Sequence, residues 1–139
     1  MGRRLIVVFM LAGMLAASAT AAKPLPKNPL AGTYATKITG QSVANLNAIW
    51  EIVIKSNGQY VIFRGQKAVV GGYSLVKNSV IGFLDQAGSQ ACLGKDKAGY
   101  YGWAKAKHAG HTYLVLKAGQ EPCSGRKAVL TTYPLLIVK

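Results

Sequence analysis

The chain has 139 residues, the size of one domain, and carries 17 lysines and arginines against 4 aspartates and glutamates. The formal charge of +13 favours contact with anionic surfaces or ligands, and the only acids are Glu51, Asp85, Asp96 and Glu121. So few carboxylates, with no pair at useful spacing, exclude the two-acid forms of catalysis.

The first predicted element is a secretory signal peptide over residues 1–21. Arg3 and Arg4 give a basic start, residues 5–17 form a short apolar run, and Ala19-Thr20-Ala21 fits a small-x-small cleavage site. The run falls short of the ~20 residues that cross a bilayer, and no later run approaches that length. An integral membrane protein is therefore not expected, and the chain should be exported, either periplasmic or extracellular. Residues 22–30, with Pro24, Pro26 and Pro29, read as an extended leader. Residues 31–139 form the single predicted domain.

From there the pattern is short alternating runs broken by turn residues roughly every ten positions, which predicts an all-β protein. Strands are expected at about 31–39, 47–55, 59–65, 67–76, 79–86, 98–107, 112–118 and 126–132. Asn57-Gly58 between "IWEIVIK" and "QYVIF" is a strong hairpin signal. Lys77-Asn78-Ser79, Ala87-Gly88-Ser89 and His108-Ala109-Gly110-His111 mark further turns. Short hairpins throughout make an up-and-down meander, and closing it into an eight-stranded antiparallel barrel removes its exposed edges. The last stretch, "YPLLIVK", fits either another short strand or a segment lying along the barrel.

Facing follows from the strand period of two. In "AIWEIVIK", Trp50, Ile52 and Ile54 point inward, opposite Glu51 and Lys55. The following strand depends on its turn. A two-residue Asn-Gly loop turns Val61 and Phe63 inward and sets Glu51 opposite Arg64, whereas a three-residue loop through Ser56 turns Tyr60 and Ile62 inward. In "AGYYGWAKAK", Tyr101, Trp103, Lys105 and Lys107 share one parity, so that strand either changes face at a bulge or runs out of the barrel mouth.

The stretch "GSQACLGKDKAGYYGWAKAK" raises three readings for Cys92. A nucleophile needs a base, and the only histidines are His108 and His111. A phosphate-binding loop needs four residues between its glycines and then Gly-Lys-Ser/Thr. Here five residues separate Gly88 from Gly94, and Asp96 follows Lys95. The third reading is a disulfide between Cys92 and Cys123, the only two cysteines, in an exported chain. Such a bridge is worth roughly 3–4 kcal/mol. His108 and His111 supply half a zinc site at most and read as a hairpin tip, so no metal and no cofactor are expected.

"AGTY" on the first strand, "WEIVIKSNGQY", "VGGYSL" and the Cys92 and Cys123-Ser-Gly-Arg126 pair together resemble small exported bacterial barrels of the lipocalin/calycin kind. Lipocalins open with Gly-x-Trp, and Gly32-Thr33-Tyr34 occupies the matching place. The resemblance implies that Arg126 is the arginine near the last strand that packs across that aromatic. It also implies binding as the role, without naming a ligand.

Two functions follow. One is a non-catalytic carrier whose interior, lined by Tyr34, Trp50, Ile52, Ile54, Tyr73, Phe83, Tyr101 and Trp103, takes a small apolar or anionic molecule. The other is a basic interaction or inhibitor protein. Its lysine-rich loops, at Lys95, Lys97, Lys105, Lys107, Lys117 and Lys127, would meet an envelope polymer, an anionic membrane or another protein. Nucleic acid is disfavoured as a partner of an exported chain, and no enzymatic activity is expected.

Overall fold

The computed structural model describes residues 22–24 and 26–138, so the segment expected to be a signal peptide lies outside the described residues. Eight antiparallel strands run up and down in chain order and close into a ring: β1 (Gly32–Ile38), β2 (Ala48–Ile54), β3 (Gln59–Arg64), β4 (Lys67–Lys77), β5 (Val80–Ala87), β6 (Ala98–His108), β7 (His111–Ala118) and β8 (Leu135–Val138). Closure comes from β8, where Leu136 pairs with Ala35 of β1 and with Tyr113 of β7. Every strand therefore has two neighbours, and none presents a free edge along its whole length.

The two ends of the ring differ. At one end the tight hairpins β2–β3, β4–β5 and β6–β7 turn, and the leader enters. The β2–β3 loop is the three-residue form, with Lys55 N donating to Gln59 O at 2.8 Å. Gly58, at φ 90°, lies 2.8 Å from Ser74 O at the point where a Cβ would stand. The loop pairs Ile54 with Tyr60 and Ile52 with Ile62, so Tyr60 and Ile62 face inward and Glu51 lies opposite Phe63. Leader residue Leu30 is buried beside this end. It is fixed by Asn28, whose Nδ2 donates to Ser74 Oγ at 3.0 Å.

At the other end lie the long connections: residues 39–47 with a 3₁₀ turn, η1 (Ala44–Leu46); residues 88–97 with a second, η2 (Gly94–Asp96); and residues 119–134. The last of these corrects the sequence reading. Residues 126–132 are not a strand: residues 126–131 belong to helix α1 (Ser124–Thr131) with Thr132 as its C-cap, and the eighth strand is the "LLIV" stretch. Cys123 caps the helix, its Sγ accepting from Arg126 N at 3.4 Å. Arg126, Val129 and Leu130 then fall on one buried face at the three- and four-residue spacing of a helix. A helix of two turns is too short for that period to stand out from strand alternation. The Thr132 hydroxyl donates back to Ala128 O at 2.6 Å as the helix ends, and Pro134 leads into β8.

The core is the inside of the ring. Trp50, Ile52 and Ile54 are each no more than 2 % exposed. Tyr60, Phe83 and Tyr101 cross it in edge-to-face contact, with ring centroids 5.1 Å and 5.8 Å apart. β6 has no bulge against β7. It pairs with β5 only up to Gly102, while β7 still pairs with β8 at Tyr113 and Leu114, so only the end beyond Ala106 and Tyr113, at the His108–His111 turn, is two-stranded.

Candidate functional site

At the long-connection end, the two cysteines form a disulfide, Cys92–Cys123, with Cα atoms 6.1 Å apart. Beneath it lies a charged cluster inside a largely apolar ring. Arg126 reaches inward from α1. Its Nη1 is 2.9 Å from Asp85 Oδ1, while Nε and Nη2 donate to the two oxygens of Glu121, each at 2.8 Å. The same guanidinium donates to the carbonyls of Lys97 at 2.8 Å and Asp96 at 3.2 Å, so its donors are engaged.

The carboxylates are held from their other side by the cysteines. Cys92 N donates to Asp85 Oδ2 and Cys123 N to Glu121 Oε1, both at 2.7 Å. The Tyr60 hydroxyl donates to Asp85 Oδ1 and the Tyr101 hydroxyl to Glu121 Oε2. The side chains of Arg126, Asp85 and Glu121 are at most 2 % exposed. Burial pushes the Tyr60 and Tyr101 phenols far up, and the carboxylates that accept from them add to it. Burial also acts to raise Glu121, but the hydrogen bonds from Arg126, Tyr101 and Cys123 N outweigh it and hold the carboxyl below its usual range. The Arg126 guanidinium, despite burial, is held firmly charged by the two acids.

This cluster is a fastener. It joins β3, β5, β6, α1 and both half-cystines, and it offers no exposed titrating group. Gly99 completes it, because a Cβ there would overlap the Glu121 carboxylate.

Above the cluster the ring stays partly open. A recess of about 240 Å³ lies between η1, α1 and the ends of β2, β3 and β4. Trp50, Ile62 and Val70 line it from the strands, Leu46 from η1 and Val129 from α1. Asn45, Gln90 and Arg126 supply its few polar groups. The Trp50 indole is fixed by donating from Nε1 to Leu46 O at 2.9 Å. Trp50 pairs across the sheet with Arg64, whose Nε is buried without a hydrogen-bond partner.

The eight residues expected to line a central cavity divide into three groups. Trp50 alone borders the recess. Tyr34, Ile52, Ile54, Phe83 and Tyr101 are buried in the packed middle and the entry end of the ring. Tyr73 does not face the interior, and Trp103 stands at its edge, packed against the core. Tyr73 stands on the outer face of β4, since its neighbours Gly72 and Ser74 take the inward positions. Trp103 sits half-buried where β6 parts from β5, donating to Asn78 O at 3.2 Å. The expected packing of Arg126 across Tyr34 is replaced by the cluster, and the Tyr34 hydroxyl donates instead to Leu30 O at 2.8 Å.

Asp85, Glu121 and Tyr60 join Arg126 in this cluster, a grouping that the sequence alone did not reveal. Asp85 was visible as a lone acid on the row of Ile81 and Phe83, and Glu121 as the acid two residues before Cys123. The recess had no comparable signal, because connections rather than strands make half of its wall.

Comparisons with protein-family models, with curated proteins and with solved structures give no match.

Proposed function

We propose that this chain is an exported, non-catalytic binding protein of lipocalin/calycin-like form that holds a small, uncharged, largely apolar molecule in the recess between η1 and α1. The observation that carries the reading is the recess itself: about 240 Å³ of space walled by Trp50, Ile62, Val70, Leu46 and Val129, with a few polar groups at its margin. Apolar walls with sparse polar groups are the usual make-up of a small-molecule site.

Size and charge narrow the ligand. An apolar cavity of ~150 Å³ accepts benzene, so this recess suits roughly ten non-hydrogen atoms. The one cation on its lining, Arg126, is already matched by two carboxylates, which disfavours an anion there. Asn45 and Gln90 suit a single hydroxyl or carbonyl on the ligand. Both buried acids are occupied by Arg126 and by backbone amides, which supports holding a molecule over transforming it. Export is supported by the disulfide, the form that paired cysteines take in oxidising compartments.

The test uses Trp50 as reporter. Trp103→Phe leaves Trp50 as the single tryptophan. Cyclohexylmethanol should then change its fluorescence saturably, and cyclohexanecarboxylate should bind at least tenfold more weakly. Val129→Trp, which fills the recess, should abolish the response. Absence of a saturable response, or binding in the filled variant equal to that of its parent, would contradict the reading.

A further inference from the structure

Beyond the recess, one face of the ring is built to meet a surface. Two of the four acids are buried against Arg126, and no acid occurs between Lys97 and Gln120 or on β1, β6, β7 and β8. These four strands are consecutive around the ring. Their outer side carries a continuous apolar row, because Ala106, Tyr113, Leu136 and Ala35 are successive cross-strand partners and so share one face. Glu51 on β2 ends the row.

Exposed apolar side chains surround the row, whose own Tyr113, Leu136 and Ala35 are half-buried. Val115 is 37 % exposed, Tyr133 42 % and Ile49 59 %. A shallow groove of about 360 Å³ between Val115, Tyr113 and Tyr133 continues past Pro134 into one of about 320 Å³ towards Ile49. Lysines flank it. Lys37 and Lys117 stand exposed on the outer side, and Lys105 and Lys107 stand on the opposite side of the β6–β7 hairpin, where their long stems can bend towards its tip.

We propose that this face docks on an anionic lipid bilayer. The aromatic and apolar row enters the headgroup boundary, where tyrosine and tryptophan rings are favoured, and the lysines meet lipid phosphates. Charge complementarity selects the bilayer's composition: Lys37 and Lys117 stand on the outer side and Glu51 is the one acid at its border, so the face favours anionic headgroups. Exposed apolar side chains beside the lysines select a bilayer over a soluble polyanion, which would contact the charges and leave Val115 and Tyr133 in water. The approach is open on the β6 side, because beyond Gly102 that strand has no cross-strand partner on β5.

The experiment is co-sedimentation of the disulfide-bonded protein with phosphatidylglycerol-containing vesicles and with phosphatidylcholine vesicles. Binding is expected to the first only and to weaken as salt rises. Lys37→Gln with Lys117→Gln should lower partitioning roughly 30-fold, at about tenfold per 1.4 kcal/mol and ~1 kcal/mol per lysine. Val115→Ser with Tyr133→Ser leaves the net charge unchanged and should lower partitioning at least tenfold. Circular dichroism of both double variants should match the parent. The proposal is overturned if phosphatidylglycerol vesicles are not bound at ~0.1 M salt. It is equally overturned if the Val115/Tyr133 variant binds them like the parent, or if heparin binds more tightly than vesicles.

Discussion

Arg126 Nη1 lies 2.9 Å from Asp85 Oδ1, so a side chain of α1 is ion-paired to an inward-facing residue of β5 inside the ring. With Glu121 at 2.8 Å on its other edge, Arg126 is the single cation for two buried carboxylates. Removing it strands both charges away from water. Arg126→Met should therefore destabilise the fold by about 3–5 kcal/mol, measured by urea unfolding. Arg126→Lys should recover only part of this, because an ammonium cannot donate along both edges of Glu121.

The disulfide and the cluster act on the same groups, since the amides of Cys92 and Cys123 hold the carboxylates of Asp85 and Glu121. Cys92→Ala with Cys123→Ala should cost about 2–5 kcal/mol. Combined with Arg126→Met, the loss should be smaller than the sum of the two by about 1 kcal/mol or more, because the second change removes interactions already loosened by the first. A double-mutant cycle in urea checks this, and strict additivity would separate the two features.

Stability should form a plateau bounded by two titrations. The Glu121 carboxyl is held low in the folded state, so its contribution is present above the unfolded value of ~4.3 and is lost as pH falls through the lower folded value. The Tyr60 and Tyr101 phenols are pushed up on folding, so their contribution is complete below the unfolded value of ~10 and is lost as pH rises beyond it. Thermal unfolding followed by circular dichroism should give a nearly flat melting temperature between about pH 5 and 9.5. Tyr101→Phe should lessen the alkaline decline.

Two glycines should respond in opposite ways. Gly99→Ala drives a methyl group into Glu121 and Arg126 and should destabilise by about 2 kcal/mol or more, the scale of a disrupted buried network. Gly125→Ala, within α1, meets no atom within 4 Å and should leave stability unchanged or raise it by up to about 1 kcal/mol. Gly125 also lines the recess, so the same substitution should weaken ligand binding. Urea unfolding of both variants, with the Trp50 titration on the second, separates these effects.

The meander was legible because its hairpins announce themselves. Asn57-Gly58, Asn78-Ser79 and Ala109-Gly110 each sit between runs of alternating hydrophobicity, and each marks a turn of the structure. The strand face of β3 was not legible, because one residue more or less in the Ser56–Gly58 loop decides whether Tyr60 or Val61 faces inward. The final third misled for a similar reason. In "SGRKAVLT" two turns of helix carry only three buried residues, and the ring-closing strand is four residues long. The cluster left a trace in the scarcity of acids, since an aspartate on the row of Phe83 needs a partner when only four acids exist. The recess left none, because its roof depends on how α1 and η1 fold back over the strand ends, a tertiary event without periodicity in the chain.

Whether the space under η1 and α1 holds a ligand can be read most directly from an amide proton–nitrogen correlation spectrum recorded as cyclohexylmethanol is added. A ligand in the recess should shift saturably the Trp50 indole signal and the backbone signals of Leu46, Gly125 and Val129, and leave Lys105 to His111 unmoved. Shifts confined to the β6–β7 hairpin, or no saturable shift at Trp50, would contradict a ligand site in this space.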